Sequence, residues 1–165
     1  MSFNKKPSVR IKNEECVKGW ADISQSIKAK INNSSKNTKV IVIECYQGVY
    51  RDQVAKELSE LLSVDLIISE DNYLLDSNEI TSKTKEFITD DRIFGKLNDF
   101  QVSDYLDPTK VEKCKNEIAK VKEGVVLIIG TGASLIVDEP DVLVYADMAR
   151  WEIQMRMRNN EVSNI

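Results

Sequence analysis

Histidine is missing from this chain altogether. A His-based zinc site and a Ser-His or Cys-His catalytic pair are therefore excluded within it. Any proton transfer would fall to carboxylates, lysines, tyrosines or cysteines. Cysteine is scarce, and Cys16, Cys45 and Cys114 show no paired spacing. Two of them fall inside expected regular elements, which reads as reduced thiols in a cytoplasmic compartment. No apolar run approaches membrane-spanning length. Met1 to Pro7 carries no apolar stretch behind Lys5 and Lys6, so no secretory signal is expected. An excess of positive charge is missing too. Lys and Arg number 23 against 27 Asp and Glu, a net charge of −4, which argues against nonspecific nucleic-acid binding.

What is present is an ordinary folding composition, 42% hydrophobic and 30% charged over 165 residues. One domain with a real core is expected. The chain is organised around Lys39 to Gly48. Val40 to Ile43 is an unbroken aliphatic run, the pattern of a strand buried on both faces. A glycine-bearing turn follows. Arg51 to Leu62 then reads as a helix, with Val54, Leu58, Leu61 and Leu62 on one face. Strand, tight loop and helix is where α/β proteins hold phosphates.

The loop chemistry for that task is absent. The pattern G-x-x-x-x-G-K-[ST] supplies glycines for close approach, a lysine for the phosphates and a hydroxyl for magnesium. Laid on this loop, it puts Glu44 and Val49 at the glycines, Tyr50 at the lysine and Arg51 at the hydroxyl. Glu44 would bring negative charge toward a polyphosphate.

The remaining elements follow in order. Ser8 to Lys12 is expected as a short edge strand, and Glu14 to Asn32 as a helix with a Trp20, Ile23, Ile27, Ile31 core stripe. Val64 to Ile68 reads as a strand ending at Ser69-Glu70-Asp71-Asn72-Tyr73, where Asp71 is either a ligand-facing acid or part of a solvated turn. Asn78 to Ile88 is expected to be helical, followed by a charged loop containing Arg92. Asp107-Pro108 is a helix start, and Gly124 is expected to cap that helix's end. Val125 to Ile129 is a second fully apolar strand, followed by Gly130-Thr131-Gly132. That half fingerprint reads mainly as a tight turn. Val142 to Asp147 is a further strand. Met148 to Asn159 is a helix whose Arg150, Arg156 and Arg158 either grip phosphates or form a wet face. Strand–helix alternation gives an α/β fold, a mostly parallel sheet in three layers with helices on both faces.

The order of these marks resembles the uridine-kinase-like branch of P-loop kinases. Glu44 to Arg51 stands at the phosphate loop, Asp71-Asn72-Tyr73 at the acidic motif, Val125 to Gly130 at the glycine turn and Val142 to Arg158 at the arginine helix. The resemblance implies phosphate handling by the arginines and a basic role for Asp71, while the loop lysine and hydroxyl do not match. Asp90-Asp91-Arg92-Ile93-Phe94-Gly95, Gly130-Thr131-Gly132-Ala133 and Tyr145 to Gln154 further resemble the kinase-like N-terminal domain ahead of some bacterial class I mannose-6-phosphate isomerases. On that resemblance, residues 39–160 form a P-loop-kinase-like core and 1–38 an N-terminal strand and helix extension of a single α/β domain, 1–165. The chain would then be a fragment of a longer protein, its partner the following isomerase domain.

Three functions remain open at this level. The first is a non-catalytic accessory or regulatory domain with no cofactor and no metal. The second is a noncanonical phosphotransferase using Mg-ATP, with Asp71 as base, Arg92, Arg150 and Arg156 as positive charge, and Thr131 as the magnesium hydroxyl. The third is a sugar-phosphate binding module using Gly130, Gly132 and the arginine helix. Tyr46, with Tyr50 and the Gly48 turn, would cover or contact whatever nucleotide or sugar phosphate lay there. No nucleic-acid or membrane partner is expected.

Overall fold

The two uninterrupted aliphatic runs become the inner strands of a four-stranded parallel sheet. The structure is a computed structural model that describes residues 16–91 and 95–162. Helix α1 (Trp20–Ile31) leads into β1 (Thr38–Cys45), α2 (Arg51–Leu62) and β2 (Leu66–Ser69). A short 3-10 turn and α3 (Ser77–Thr84) come next. Then follow α4 (Pro108–Lys120), β3 (Gly124–Gly130), β4 (Val142–Ala146) and α5 (Arg150–Arg158). The strand order is β2-β3-β1-β4, all parallel. Thr38 sits opposite Gly124 and Glu44 opposite Gly130, so β1 and β3 run side by side for the length of β3.

Side chains of a strand alternate between faces. Ile41, Ile43, Cys45, Leu127 and Ile129 therefore pack with Ile27 and Ile31 of α1 and with Leu58 and Leu62 of α2. Val42, Val126 and Ile128 pack with Ile68 and with Cys114 of α4. Helices on both faces explain why no polar alternation survives in these runs. The expected three-layer α/β arrangement is what is found. The helix assigned to an N-terminal extension shares the first of these two cores. No helix among the described residues is long and apolar enough to cross a membrane.

Several expected boundaries shift. The expected strand Ser8 to Lys12 lies outside the described residues. Helix α1 starts at Trp20 rather than Glu14, because Gly19 takes φ +90°, a backbone no helix continues through. Helix α3 ends at Thr84 and tightens into a 3-10 turn, Lys85–Phe87, instead of running to Ile88. Helix α5 begins at Arg150, after an extended Ala149. Gly124 does not cap α4. The helix stops at Lys120, Val121 turns extended, and the Val121 carbonyl accepts a hydrogen bond from the Thr38 hydroxyl at 2.7 Å; Gly124 opens β3. The start of α4 is as expected, with the Asp107 carboxylate accepting from the N–H groups of Thr109 and Lys110.

The entry to β4 is fixed by one carboxylate. Asp141 accepts from the Ser34 hydroxyl at 2.5 Å and the Val40 N–H at 2.8 Å, with the Lys36 ammonium 3.5 Å away. Burial pushes the Asp141 carboxyl up, but these bonds and the ammonium outweigh it and hold it below the ordinary carboxylate range. Its stabilisation is thus complete above pH ~4 and lost as pH falls through the folded value. Asp141→Asn is expected to cost about 1.5–3 kcal/mol at pH 7. The gap to the parent protein should narrow in urea titrations repeated near pH 3. A gap constant between the two pH values would show that the charge of Asp141 contributes nothing.

Candidate functional site

After β1 the chain passes to the face of α1 and α2. After β3 it turns the other way, and Ala133 and Ile136 join the core beneath α4. Two adjacent parallel strands that part to opposite faces open a crevice at their C-terminal ends, the usual ligand position in open α/β sheets. Glu44 and Cys45 reach it from β1, Gly130, Thr131 and Gly132 from β3, and Glu70 from the end of β2.

The turn after β3 could not form with a side chain at Gly130. Its φ is +137°, and a Cβ there would stand 2.6 Å from the Tyr73 hydroxyl and 2.8 Å from Glu70 Cβ. The tight passage presents backbone N–H groups to the crevice, as an anion site requires. Three of them are taken by carboxylates of the chain itself. Gly132 N–H donates to Glu44 Oε1 at 2.7 Å and Ser134 N–H to Glu44 Oε2 at 2.8 Å. Thr131 N–H donates to Glu70 Oε2 at 3.0 Å. The other Glu70 oxygen pairs with Arg51 at the start of α2. Arg51 also meets Asp52 at 3.1 Å and, more loosely, Asp71 at 3.9 Å. Thr131 turns its hydroxyl to the Cys45 carbonyl at 3.2 Å.

The β1–α2 loop is equally engaged. Tyr46 N–H donates to the Ala146 carbonyl and Val49 N–H to the Tyr46 carbonyl. Arg156 reaches over from α5, donates to the Gly48 carbonyl at 2.8 Å and lies 3.7 Å above the Tyr50 ring. Tyr50 in turn donates to Glu161. Stacking and bonding of this kind hold a loop in place.

The charge balance of the crevice is negative. Burial pushes the Cys45 thiol up to about 11, and the Glu70 and Glu44 carboxylates push the same way. Burial, then the same two carboxylates, raise the Tyr73 phenol above its ordinary value. Burial works against the charge of Arg51, but Glu70 and its other acidic neighbours outweigh it. A thiol held neutral and buried is a poor nucleophile. Among the described residues no three His, Cys, Asp or Glu side chains gather as a metal site would need.

The expected site residues are thus partly united. Gly130, Thr131 and Gly132 line the crevice, while Gly48 and Arg156 meet beside it. Tyr46 is 47% exposed on the loop. Asp71 is displaced: its side chain is 80% exposed, and the acid facing the crevice is Glu70, one residue earlier. The reason is the 3-10 turn Glu70–Asn72, which starts immediately after β2. Arg150 and Arg158 lie on the exposed side of α5, and Arg92 lies outside the described residues. Sequence reasoning missed Glu70 and Arg51 as a pair; the signal was Glu70's place as the first residue after the strand.

A family described as a domain of unknown function, DUF8485, matches residues 19–165. The chain belongs to the DUF8485 family. No curated protein and no solved structure matches it. The matched span of this DUF8485 chain runs from the glycine before α1 through α5, so it takes in both cores and the crevice. In the DUF8485 crevice, Glu44→Ala is expected to cost about 1.5–3 kcal/mol, the scale of a charge-assisted hydrogen bond left unmade. Amide exchange at Gly132 and Ser134 should accelerate strongly. Unchanged protection of those two amides would mean that Glu44 does not hold the turn.

Proposed function

We propose that this chain is a non-catalytic accessory and regulatory domain of a cytoplasmic protein in sugar-phosphate metabolism. In this reading a kinase-like fold serves beside an isomerase domain of the mannose-6-phosphate type. One observation carries the non-catalytic part: Glu44 and Glu70 take the backbone N–H groups at residues 131, 132 and 134, the donors that the turn after β3 would otherwise offer an anion. An external phosphate would have to displace two carboxylates and enter a negative field. The position that supplies a lysine in a working phosphate loop is Tyr50, and its ring is covered by Arg156.

The regulatory part draws on the surface of β4. Leu143 and Tyr145, on the α4 side of the sheet, are 57% and 59% exposed, and Trp151 of α5 is 67% exposed. Exposed apolar side chains on an edge strand, with another on the helix after it, are the kind of feature a partner domain covers. The phosphotransferase alternative draws less support. Asp71 stands away from the crevice, and Arg156 is engaged with the β1–α2 loop.

The test is a thermal melt with millimolar magnesium-ATP and, separately, mannose 6-phosphate. A ligand at a hundredfold its dissociation constant stabilises by about 2.7 kcal/mol. In a domain of this size that raises the midpoint by roughly 5–10 degrees. Flat melts are expected for both. A rise of that order with ATP would overturn the proposal in favour of phosphoryl transfer, and one with the sugar phosphate alone in favour of a binding module.

A further inference from the structure

A cavity lies beside the crevice. Between Leu74 and Leu106 the chain leaves the sheet, and the excursion is closed at its base. Leu74 bridges Leu106, Leu75 N–H donates to the Tyr105 carbonyl, and Asp107 N–H donates to the Tyr73 carbonyl. Lys110 ties the same base by donating to the Leu74 carbonyl at 2.9 Å and to Asp76. The excursion carries α3 and two 3-10 turns, Lys85–Phe87 and Val102–Tyr105. They stand around a cavity of about 560 Å³. Thr131 lines it from the sheet end, so it opens off the switch point of the fold. Its volume falls within the roughly 300–1,000 Å³ of small-molecule pockets.

The lining states what chemistry would fit. Its walls are aliphatic and aromatic at Ile80, Phe87, Val102 and Tyr105, and polar at Gln47, Asn98 and Thr131. The rings are braced from behind: Phe87 meets Phe100 edge-on at 5.2 Å, and Phe100 meets Tyr105 at 6.0 Å. Lys83 lies 5.0 Å over the Phe100 ring and donates to the Asp104 carbonyl, which holds that wall in place. The hydroxyl of Thr84 is turned back to the Ile80 carbonyl, so α3 presents little polarity to the cavity. No carboxylate occurs among the described lining residues, and the charged side chain there is Lys96. In a chain where acids exceed bases by 27 to 23, a cavity whose described lining holds a lysine and no carboxylate runs against the molecule's own charge.

We propose that this cavity binds a small aromatic monoanion, a flat apolar body against Phe87 and Tyr105 with its acid group toward Lys96. The ring faces supply stacking area and the lysine supplies the charge partner. Such a ligand differs from ATP or a sugar phosphate, and it leaves the carboxylate-filled donors untouched.

The probe is 8-anilinonaphthalene-1-sulfonate, an aromatic monoanion whose fluorescence rises in apolar surroundings. The intact chain should bind it saturably at one site. Lys96→Glu should weaken binding about tenfold or more. Thr84→Trp, which fills the cavity from α3, should abolish it; Val102→Trp fills it from the Val102–Tyr105 turn should the first variant not fold. Methyl spectra locate the probe: Ile80 and Ile88, which line the cavity, should shift and Ile67 of β2, outside the lining, should not. Absence of saturable binding would overturn the proposal. So would equal affinity in Lys96→Glu, or shifts centred on Ile67 or Leu143. These outcomes are independent of the melts with ATP and mannose 6-phosphate.

Discussion

The carboxylate of Glu44 joins the two central strands where they diverge. It leaves β1 on the α4 side and bonds the N–H groups of Gly132 and Ser134 in the turn after β3. Without it, the turn would point bare donors into a half-buried crevice, and an unpaired polar group in such a place costs about 1–3 kcal/mol. Glu70 does the same for Thr131 and brings Arg51 with it. Sheet, helix α2 and turn are thereby locked by charge-assisted bonds at the place where open α/β sheets leave room for a ligand. The position is a ligand site in shape and a structural joint in chemistry.

Much of this was legible in the residues. The aliphatic runs at Val40 to Ile43 and Val125 to Ile129 could only be inner strands, because no face was reserved for water. Asp107-Pro108 announced its helix by local chemistry alone. Glu44 was recognisable as the wrong charge for a phosphate loop. What it bonds instead was not, because its partners lie about ninety residues away. The same distance hid the strand order and the roles of the arginines. Arg156 serves Gly48 and Tyr50, more than a hundred residues earlier. The exchange of Glu70 for Asp71 turned on a single residue of register, set by a 3-10 turn that propensity does not fix.

The sheet is unevenly dressed. Val142, Val144 and Ala146 of β4 pack into the core under α1 and α2, while Leu143 and Tyr145 on the other face stay exposed. The layer of α4 and the turn after β3 reaches over β3 and β1 and stops short of β4. An edge strand with one bare face and no lysine or proline within it has few of the devices that keep sheet edges apart. That is a reason to treat the surface of β4 as built to be covered.

The clamp between Leu74 and Leu106 gives the excursion it closes a freedom that the strands lack. Closing a loop costs entropy that grows only with the logarithm of its length, about 0.6 kcal/mol for each doubling. Residues can be gained or lost above the clamp with little effect on the sheet, whereas a residue gained in β1 would reverse every inward side chain. The two parts of the molecule therefore answer to different physical constraints. The sheet is bound to its register, while the arch above it can change size and lining without disturbing a strand.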